Sequence, residues 1–422
     1  MKNLPYSAHS PVVFTRRLVS GAVLSAMLAA SMPAWAQQAP AAAPAATGAA
    51  APAPAPTASG AVPVGDVSAV PAPTIAAKAW IVIDVNSGQT LAASNPDTKV
   101  EPASLTKIMT AYVVFNALEE KRLTLEQTVP VSEHAWRTGG SRMFIEPRKP
   151  VTVDELNQGM IVQSGNDASV ALAEAVGGSE AAFASLMNQE ADRLGMKNTH
   201  FMNATGLPDP QHMTSTRDLA TVSAHLITDH PDFFHYYKQK SYTYNKITQP
   251  NRNRLLWSDP SVDGMKTGHT DSAGYCLVST AVRGDRRILV VVVGTDSEAT
   301  RAEESLKLLN WSFQNFDTVK LFDKSQPGID ARVWEGTAEN VKLGPPNPVS
   351  IAVPRGKAGE LKPVAQRTDP LIAPLAKGQQ VGTLQFTLDG KVLRTEPLVV
   401  QDAVERAGFF GRMVDTVKRW FQ

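Results

Sequence analysis

The sequence predicts an α+β protein: an antiparallel sheet with a helical insert, then a small all-β domain and a C-terminal amphipathic helix. Three observations carry this. Apolar, β-branched runs bounded by tight turns stand at both ends of the stretch from Trp80 to Phe316, with helical periodicity between them. From Val319 helical periodicity gives way to short strand-like runs. From Gly408 bulky apolar residues face basic ones at helical spacing.

The chain start reads as a signal peptide over residues 1–36. Arg16 and Arg17 give a positive flank, Leu18 to Met32 is apolar or small, and Ala34-Trp35-Ala36 is a small-x-small cleavage site that makes Gln37 the mature terminus. The apolar run is short beside the about 20 residues of a membrane-spanning helix. Thr15-Arg16-Arg17 raises a twin-arginine export route, but the rest of that motif is poor and the general route is favoured. Residues 37–77 are almost wholly Ala, Pro, Gly, Ser, Thr and Val, a composition that buries no core and favours an extended spacer.

The first folded domain is expected over residues 78–317. Trp80 to Val85, the turn Asn86-Ser87-Gly88, and Gln89 to Ala93 read as a hairpin. A helix follows from Pro102 to about Lys121, apolar nearly all round and therefore buried. Further helices are expected at Val153–Val162, Asp167–Val176, Glu180–Leu194 and Arg217–His230, with the polar loop Ser164-Gly165-Asn166 between the first two of these. Val262–Gly268, Gly274–Val282 and Ile288–Gly294 read as adjacent antiparallel strands, and Glu303–Phe316 as a closing helix. Strands at both ends imply one sheet assembled from the two chain ends. The small β-rich domain, 318–402, is expected to hold strands at Ala331–Trp334, Val349–Val353, Gly382–Leu388 and Lys391–Val400, the last two joined by Asp389-Gly390. In residues 403–422, Phe409, Phe410, Met413, Val414, Val417 and Phe421 fall on one helical face away from Arg412, Lys418 and Arg419. This is the pattern of a helix lying in a membrane surface.

The 422 residues carry a formal net charge of +1, so nothing in the bulk charge calls for a nucleic-acid partner. The single cysteine, Cys276, lies in the apolar run Tyr275-Cys276-Leu277-Val278 and reads as a buried strand residue. Eight histidines are present, but none forms H-E-x-x-H or another close ligand pair. His200, His212 and His225 fit loop or helix surfaces, and neither a metal nor a cofactor is expected.

The chemistry lies in three ordered elements: Ser104-x-x-Lys107 at a helix start, Ser164-Gly165-Asn166 in an inter-helix loop, and Lys266-Thr267-Gly268 on a strand. Order and placement together match the trio of class A β-lactamases and penicillin-binding proteins. Ser104 Oγ is a poor nucleophile until a base takes its proton. Lys107 can do so only as a neutral amine, so its ordinary pKa of about 10.4 must fall to near neutrality, at about 4 kcal/mol. Burial and the second cation Lys266 push that way. Ser164 can relay a proton to the leaving amine, and Asn166 can hold a substrate amide and orient Lys107. Lys266 and Thr267 can bind a terminal carboxylate, and Gly268 lets substrate lie against the strand edge. The backbone N–H groups of Ser104 and His269 are the natural oxyanion donors.

The sequence resembles the serine D-alanyl-D-alanine carboxypeptidases, low-molecular-weight penicillin-binding proteins of the type-5/type-6 group. The resemblance rests on Pro102–Met109, Gln163–Ala168, Leu194–Phe201, Asn251-Arg252-Asn253 with Leu255-Leu256-Trp257, and Val262–Thr270. It runs from about Trp80 to the C-terminus and leaves out the Ala/Pro spacer. It implies a penicillin-binding, transpeptidase-like domain that trims the last D-alanine from peptidoglycan pentapeptide stems, takes β-lactams as covalent inhibitors and needs no cofactor. It also implies a periplasmic enzyme, peripherally attached to the outer face of the inner membrane through residues 408–422. By resemblance, Arg252 assists at the carboxylate end of the site; as a bare residue it reads equally well as a surface cation. Two alternatives share the fold: a serine β-lactamase and a non-catalytic wall-binding scaffold. Against the first, no glutamate motif of the class A kind follows Ser164, and Glu155-Leu156-Asn157 lies before it. Against the second, the reactive residues are intact.

Overall fold

The structure, a computed structural model, describes residues 70–323, 328–367 and 369–410, with Arg412, Met413 and Asp415. The expected signal peptide, the spacer as far as residue 69, and residues 411, 414 and 416–422 of the expected terminal helix lie outside the described residues.

The first hairpin forms as strands β1 (Ala79–Asp84) and β2 (Gln89–Ser94). Later in the chain come β3 (Val262–Thr270), β4 (Gly274–Arg283) and β5 (Arg286–Thr295). All five make one antiparallel sheet in the order β2-β1-β5-β4-β3. The two chain ends meet where β1 pairs with β5, from Ala79 opposite Val293 to Asp84 opposite Ile288. This leaves β3 at the edge, with one side free of any strand.

Side-chain alternation along β1 divides the core into two layers. Ile81 and Ile83 point into the larger cluster, while Trp80 and Val82 point into a second one. Five helices cover the larger cluster: α1 (Lys107–Glu119), α2 (Val153–Val162), α3 (Asn166–Gly177), α4 (Glu180–Arg193) and α5 (Thr216–Asp229). Helix α1 is buried almost all round, from Ile108 through Phe115 to Leu118, and so runs through the domain interior. The other face of the sheet is closed by α6 (Glu298–Asn315), through Leu308, Leu309, Trp311 and Phe313. This helix starts earlier than Glu303 because the Ser297 hydroxyl caps the Thr300 N–H at 3.0 Å. The chain is already seated on α6 before Lys78: Trp311 Nε1 donates to Pro71 O at 3.0 Å, and Val70 and Ile75 pack into the second cluster.

The second domain is all β. Strand β6 (Phe316–Leu321) pairs with β9 (Val349–Pro354). The strands β7 (Ile329–Trp334), β8 (Asn340–Gly344), β10 (Lys362–Arg367), β11 (Leu371–Ile372), β12 (Gln380–Leu388) and β13 (Lys391–Val400) form a sheet in the order β10-β12-β13-β8-β7-β11. Strand β10 is exposed along nearly its whole length and has no apolar alternation to mark it in the sequence.

The first hairpin holds the two domains together. Gln89, 1% exposed, accepts from Ala352 N at 2.6 Å and donates to Ala352 O at 3.1 Å, so its amide pairs with β9 as another strand would. Asp84 accepts from the Thr318 hydroxyl at 2.5 Å, and Arg394 Nη1 donates to Ser87 O at 2.9 Å. Gln89→Leu should leave the Ala352 N–H and C=O buried and unpaired. It is expected to lower unfolding free energy by about 2–4 kcal/mol, read as a fall in the urea midpoint. A midpoint equal to wild type would show that the Gln89–Ala352 pair contributes nothing.

Candidate active site

Ser104 lies on a 3-10 turn, Ala103–Thr106, that leads directly into α1. Residues three apart eclipse on such a turn, more closely than on the α-helix expected there. Lys107 Nζ accordingly stands 3.0 Å from Ser104 Oγ. Lys107 is 1% exposed, and its amine has two further partners: Asn166 Oδ1 at 2.7 Å and Thr205 O at 2.6 Å. Both are acceptors only. A neutral amine has two N–H donors and one lone pair, so the two carbonyl oxygens take both donors. The lone pair is then left facing the Ser104 hydroxyl. Burial first, and the Arg252 guanidinium next, hold the Lys107 pKa down to about 7 against the opposing pull of Asp167.

Ser164 sits between α2 and α3 with φ +70°. Its hydroxyl accepts from Lys266 Nζ at 2.9 Å, and Lys266 also donates to Thr267 O at 2.9 Å. Burial and the fields of Lys107, Arg252 and Arg301 hold Lys266 well below its ordinary value. Asn166 opens α3, and its Nδ2 donates to Gly139 O at 2.7 Å. The next residue, Asp167, is fully buried and accepts from Met143 N and Phe144 N at 2.9 Å each and from Ile145 N at 3.2 Å. Its carboxylate thereby pins the loop whose Gly140 and Ser141 wall the site.

A cavity of about 470 Å³ opens over Ser104, bounded by Ser164, Arg252, Thr267, Gly268, His269 and Arg301 among others. Edge strand β3 forms one wall. The missing side chain of Gly268 faces the nucleophile turn: a Cβ there would lie 3.1 Å from Pro102 O and 3.3 Å from Ala103 Cβ. Glycine thus lets β3 approach Ser104. Arg301 is 3% exposed, donates to Gly268 O at 3.4 Å and meets Glu298 at 3.4 Å. Arg252 and Arg301 bring two guanidinium groups to this space, and the Lys266 amine lies behind the Ser164 hydroxyl.

All nine residues singled out in the sequence gather here. Seven line the cavity or bond one another directly across it: Ser104, Lys107, Ser164, Asn166, Lys266, Thr267 and Gly268. Arg252 and His269 stand exposed at its rim. Sequence reasoning missed Arg301, because it began the last helix too late; the Ser297 cap is the signal that finds it. It also gave Asp167 and Thr205 no part. One histidine reading is corrected: His212 is 2% exposed rather than on a surface, and both ring nitrogens are paired, so its burial leaves no polar atom unmatched.

Comparison with known proteins follows the same lines. Residues 66–297 match the D-alanyl-D-alanine carboxypeptidase family, and residues 316–406 match the C-terminal domain of penicillin-binding protein 5. The chain belongs to the D-alanyl-D-alanine carboxypeptidase family. It is 46% identical to D-alanyl-D-alanine carboxypeptidase DacC of Escherichia coli (strain K12), over 83% of this chain and 91% of that protein. It is 35% identical to DacF of Bacillus subtilis (strain 168), over 82% and 90%. The crystal structure of penicillin binding protein 5 from Haemophilus influenzae superposes with a TM-score of 0.76 at 43% identity, covering 80% of this chain and all of that one.

For this carboxypeptidase, the Lys107 environment fixes the sign of a pH dependence. In the unfolded chain the amine returns to 10.5, against about 7 in the fold. Between those values the unfolded chain holds the extra proton, so Lys107 adds stability as pH rises through that window and adds none below it. Acylation by a fluorescent penicillin should rise with pH through about 7 as the amine becomes neutral. Arg252→Gln should move that midpoint upward. A midpoint left in place in the variant would remove Arg252 from the cause.

Proposed function

We propose that this D-alanyl-D-alanine carboxypeptidase works through an ester on Ser104, with Lys107 as the base. The observation that carries the reading is the saturation of both Lys107 N–H donors by Asn166 and Thr205, which leaves the lone pair for the Ser104 proton. The substrate is a peptidoglycan pentapeptide stem ending in D-Ala-D-Ala. It lies along the free edge of β3, with its terminal carboxylate among Thr267, Arg252 and Arg301. Lys107 takes the proton of Ser104 Oγ as the oxygen bonds to the penultimate carbonyl carbon, and the N–H groups of Ser104 and His269 receive the oxyanion. The proton passes through the Ser164 hydroxyl, held by Lys266, to the departing D-alanine nitrogen as the C–N bond breaks. Water, deprotonated by Lys107, then cleaves the ester and restores the serine. A β-lactam enters the same sequence and stops at the ester.

Against the β-lactamase alternative, Glu155 is not free to activate water. Glu155 Oε2 accepts from both the N–H and the hydroxyl of Thr152, at 2.9 Å each, and is spent on capping α2. Ser104→Ala should abolish both D-alanine release from a D-Ala-D-Ala pentapeptide and the mass increment with penicillin. D-Alanine release persisting in that variant would sink the mechanism.

The enzyme's place is proposed to be the periplasm, at the outer face of the inner membrane, held through residues 408–422. Phe409, Phe410 and Met413 are 67%, 77% and 53% exposed, a side-by-side apolar set without cover among the described residues. Asp415 accepts from Glu335 N at 2.8 Å, which anchors this segment to the β domain while its aromatics face outward. Deleting the chain after Ala407, which keeps the pairing of Val404 with Leu375 and of Ala407 with Glu335 in the β domain, should release the enzyme from membrane pellets with its activity intact. A truncated enzyme that still pelleted would refute the anchor.

A further inference from the structure

The buried histidine absent from the scheme above has a directional set of bonds that ends at the peptide carbonyl preceding Ser104. Met202 N–H donates to His212 Nδ1 at 3.1 Å. That nitrogen is therefore the unprotonated one, and the ring proton sits on Nε2. Nε2 stands 2.9 Å from Thr106 Oγ1 and donates to it. The Thr106 hydroxyl in turn donates to Ala103 O at 2.8 Å. Every proton in this chain has one acceptor, so the order runs one way from Met202 to Ala103.

Ala103 O belongs to the peptide whose N–H is that of Ser104. A trans peptide is planar and points its C=O and N–H in opposite directions, so whatever fixes the carbonyl also aims the amide. The plane is not held by ordinary backbone preference: Ala103 has φ +47°, in the left-handed region that alanine seldom adopts. The neighbouring segment also leaves no slack. Gly206 has φ +81°, and a Cβ on it would fall 1.8 Å from Ala103 O.

We propose that His212 is a positioning residue for acyl transfer: as the Nε2–H tautomer it orders the Thr106 hydroxyl onto Ala103 O and so aims the Ser104 N–H at the oxyanion. The inference rests on the reading of the Ser104 amide as an oxyanion donor. Burial pushes the His212 ring down to about 4, so it stays neutral over the working pH range and the relay keeps its direction. The edge-on contact with Phe201, ring centroids 5.6 Å apart, fixes the plane of the imidazole.

The test compares Thr106→Val, which keeps the shape and removes the relay, with Thr106→Ser, which keeps the hydroxyl. A donor that serves only the transition state changes kcat and leaves KM. On a D-Ala-D-Ala pentapeptide, Thr106→Val should lose roughly tenfold or more in kcat with little change in KM, and Thr106→Ser should recover most of that loss. Wild-type kcat in Thr106→Val, equal loss in both variants, or a loss confined to KM would overturn the proposal. Nitrogen NMR of the histidine rings in the full-length wild-type enzyme gives a reading independent of any variant. His212 should show an unprotonated Nδ1 and a protonated Nε2, and the opposite tautomer or an imidazolium would overturn the relay. Should Ser104→Ala lose all activity while Thr106→Val keeps it, the acyl-enzyme reading stands and only the positioning role falls.

Discussion

The site depends on one buried amine. Lys107 sits at the entrance of a helix that is buried on nearly every side, where a charged ammonium is costly and a neutral amine is cheap. Burial alone would leave that amine free to turn. The two carbonyl oxygens at 2.6 and 2.7 Å prevent this, and they come from distant parts of the chain: Asn166 at the start of α3, and Thr205 in the loop before α5. The helical insert brings these segments to one point and thereby holds the Lys107 amine in one orientation beside Ser104 Oγ.

Cations around the cavity act twice. Burial lowers both lysines first; Arg252 adds to the shift of Lys107, and Lys107, Arg252 and Arg301 add to that of Lys266. The same positive field is complementary to a terminal carboxylate, which is the group a carboxypeptidase must recognise. The two effects are linked with opposite sign. An anion seated beside Arg252 offsets the field that depresses Lys107, so carboxylate binding makes the amine a stronger base as the scissile carbonyl arrives. Arg301 is suited to this, since among the described residues its carboxylate partner is Glu298, 3.4 Å away, which leaves much of its charge unmatched.

What was legible in the sequence follows from how local each signal is. The hairpin, four helices of the insert and three later strands are strongly periodic, and each appears within a few residues of its expected place. Ser104 with Lys107, the Ser164 loop and the Lys266 strand are short contiguous motifs, so their chemistry could be read before any geometry. Thr205 contributes a backbone carbonyl, which no residue identity encodes. Asp167 acts on a loop more than twenty residues upstream through three N–H groups. His212 lies in a polar stretch that reads as surface, and only its pairing with Met202 and Thr106 makes burial affordable. The short strands β10 and β11 were illegible for a different reason: they lack alternation, and register with neighbouring strands alone defines them. Strand β8 alternates at Val341 and Leu343, but over only five residues.

The two halves of the catalytic device share one support. The segment from Met202 to Gly206 gives Thr205 O to the base, gives Ala204 O to the Thr110 hydroxyl on α1, and lies against Ala103 O where Gly206 permits the approach. Its first residue also sets the His212 tautomer. A displacement of this segment would therefore misdirect the Lys107 lone pair and the Ser104 amide together. In the proposed mechanism base and oxyanion donor serve the same carbonyl in the same step, and one segment holds both. That economy has a structural cost, carried by the left-handed Ala103 and by a glycine at 206 that has no room for a side chain.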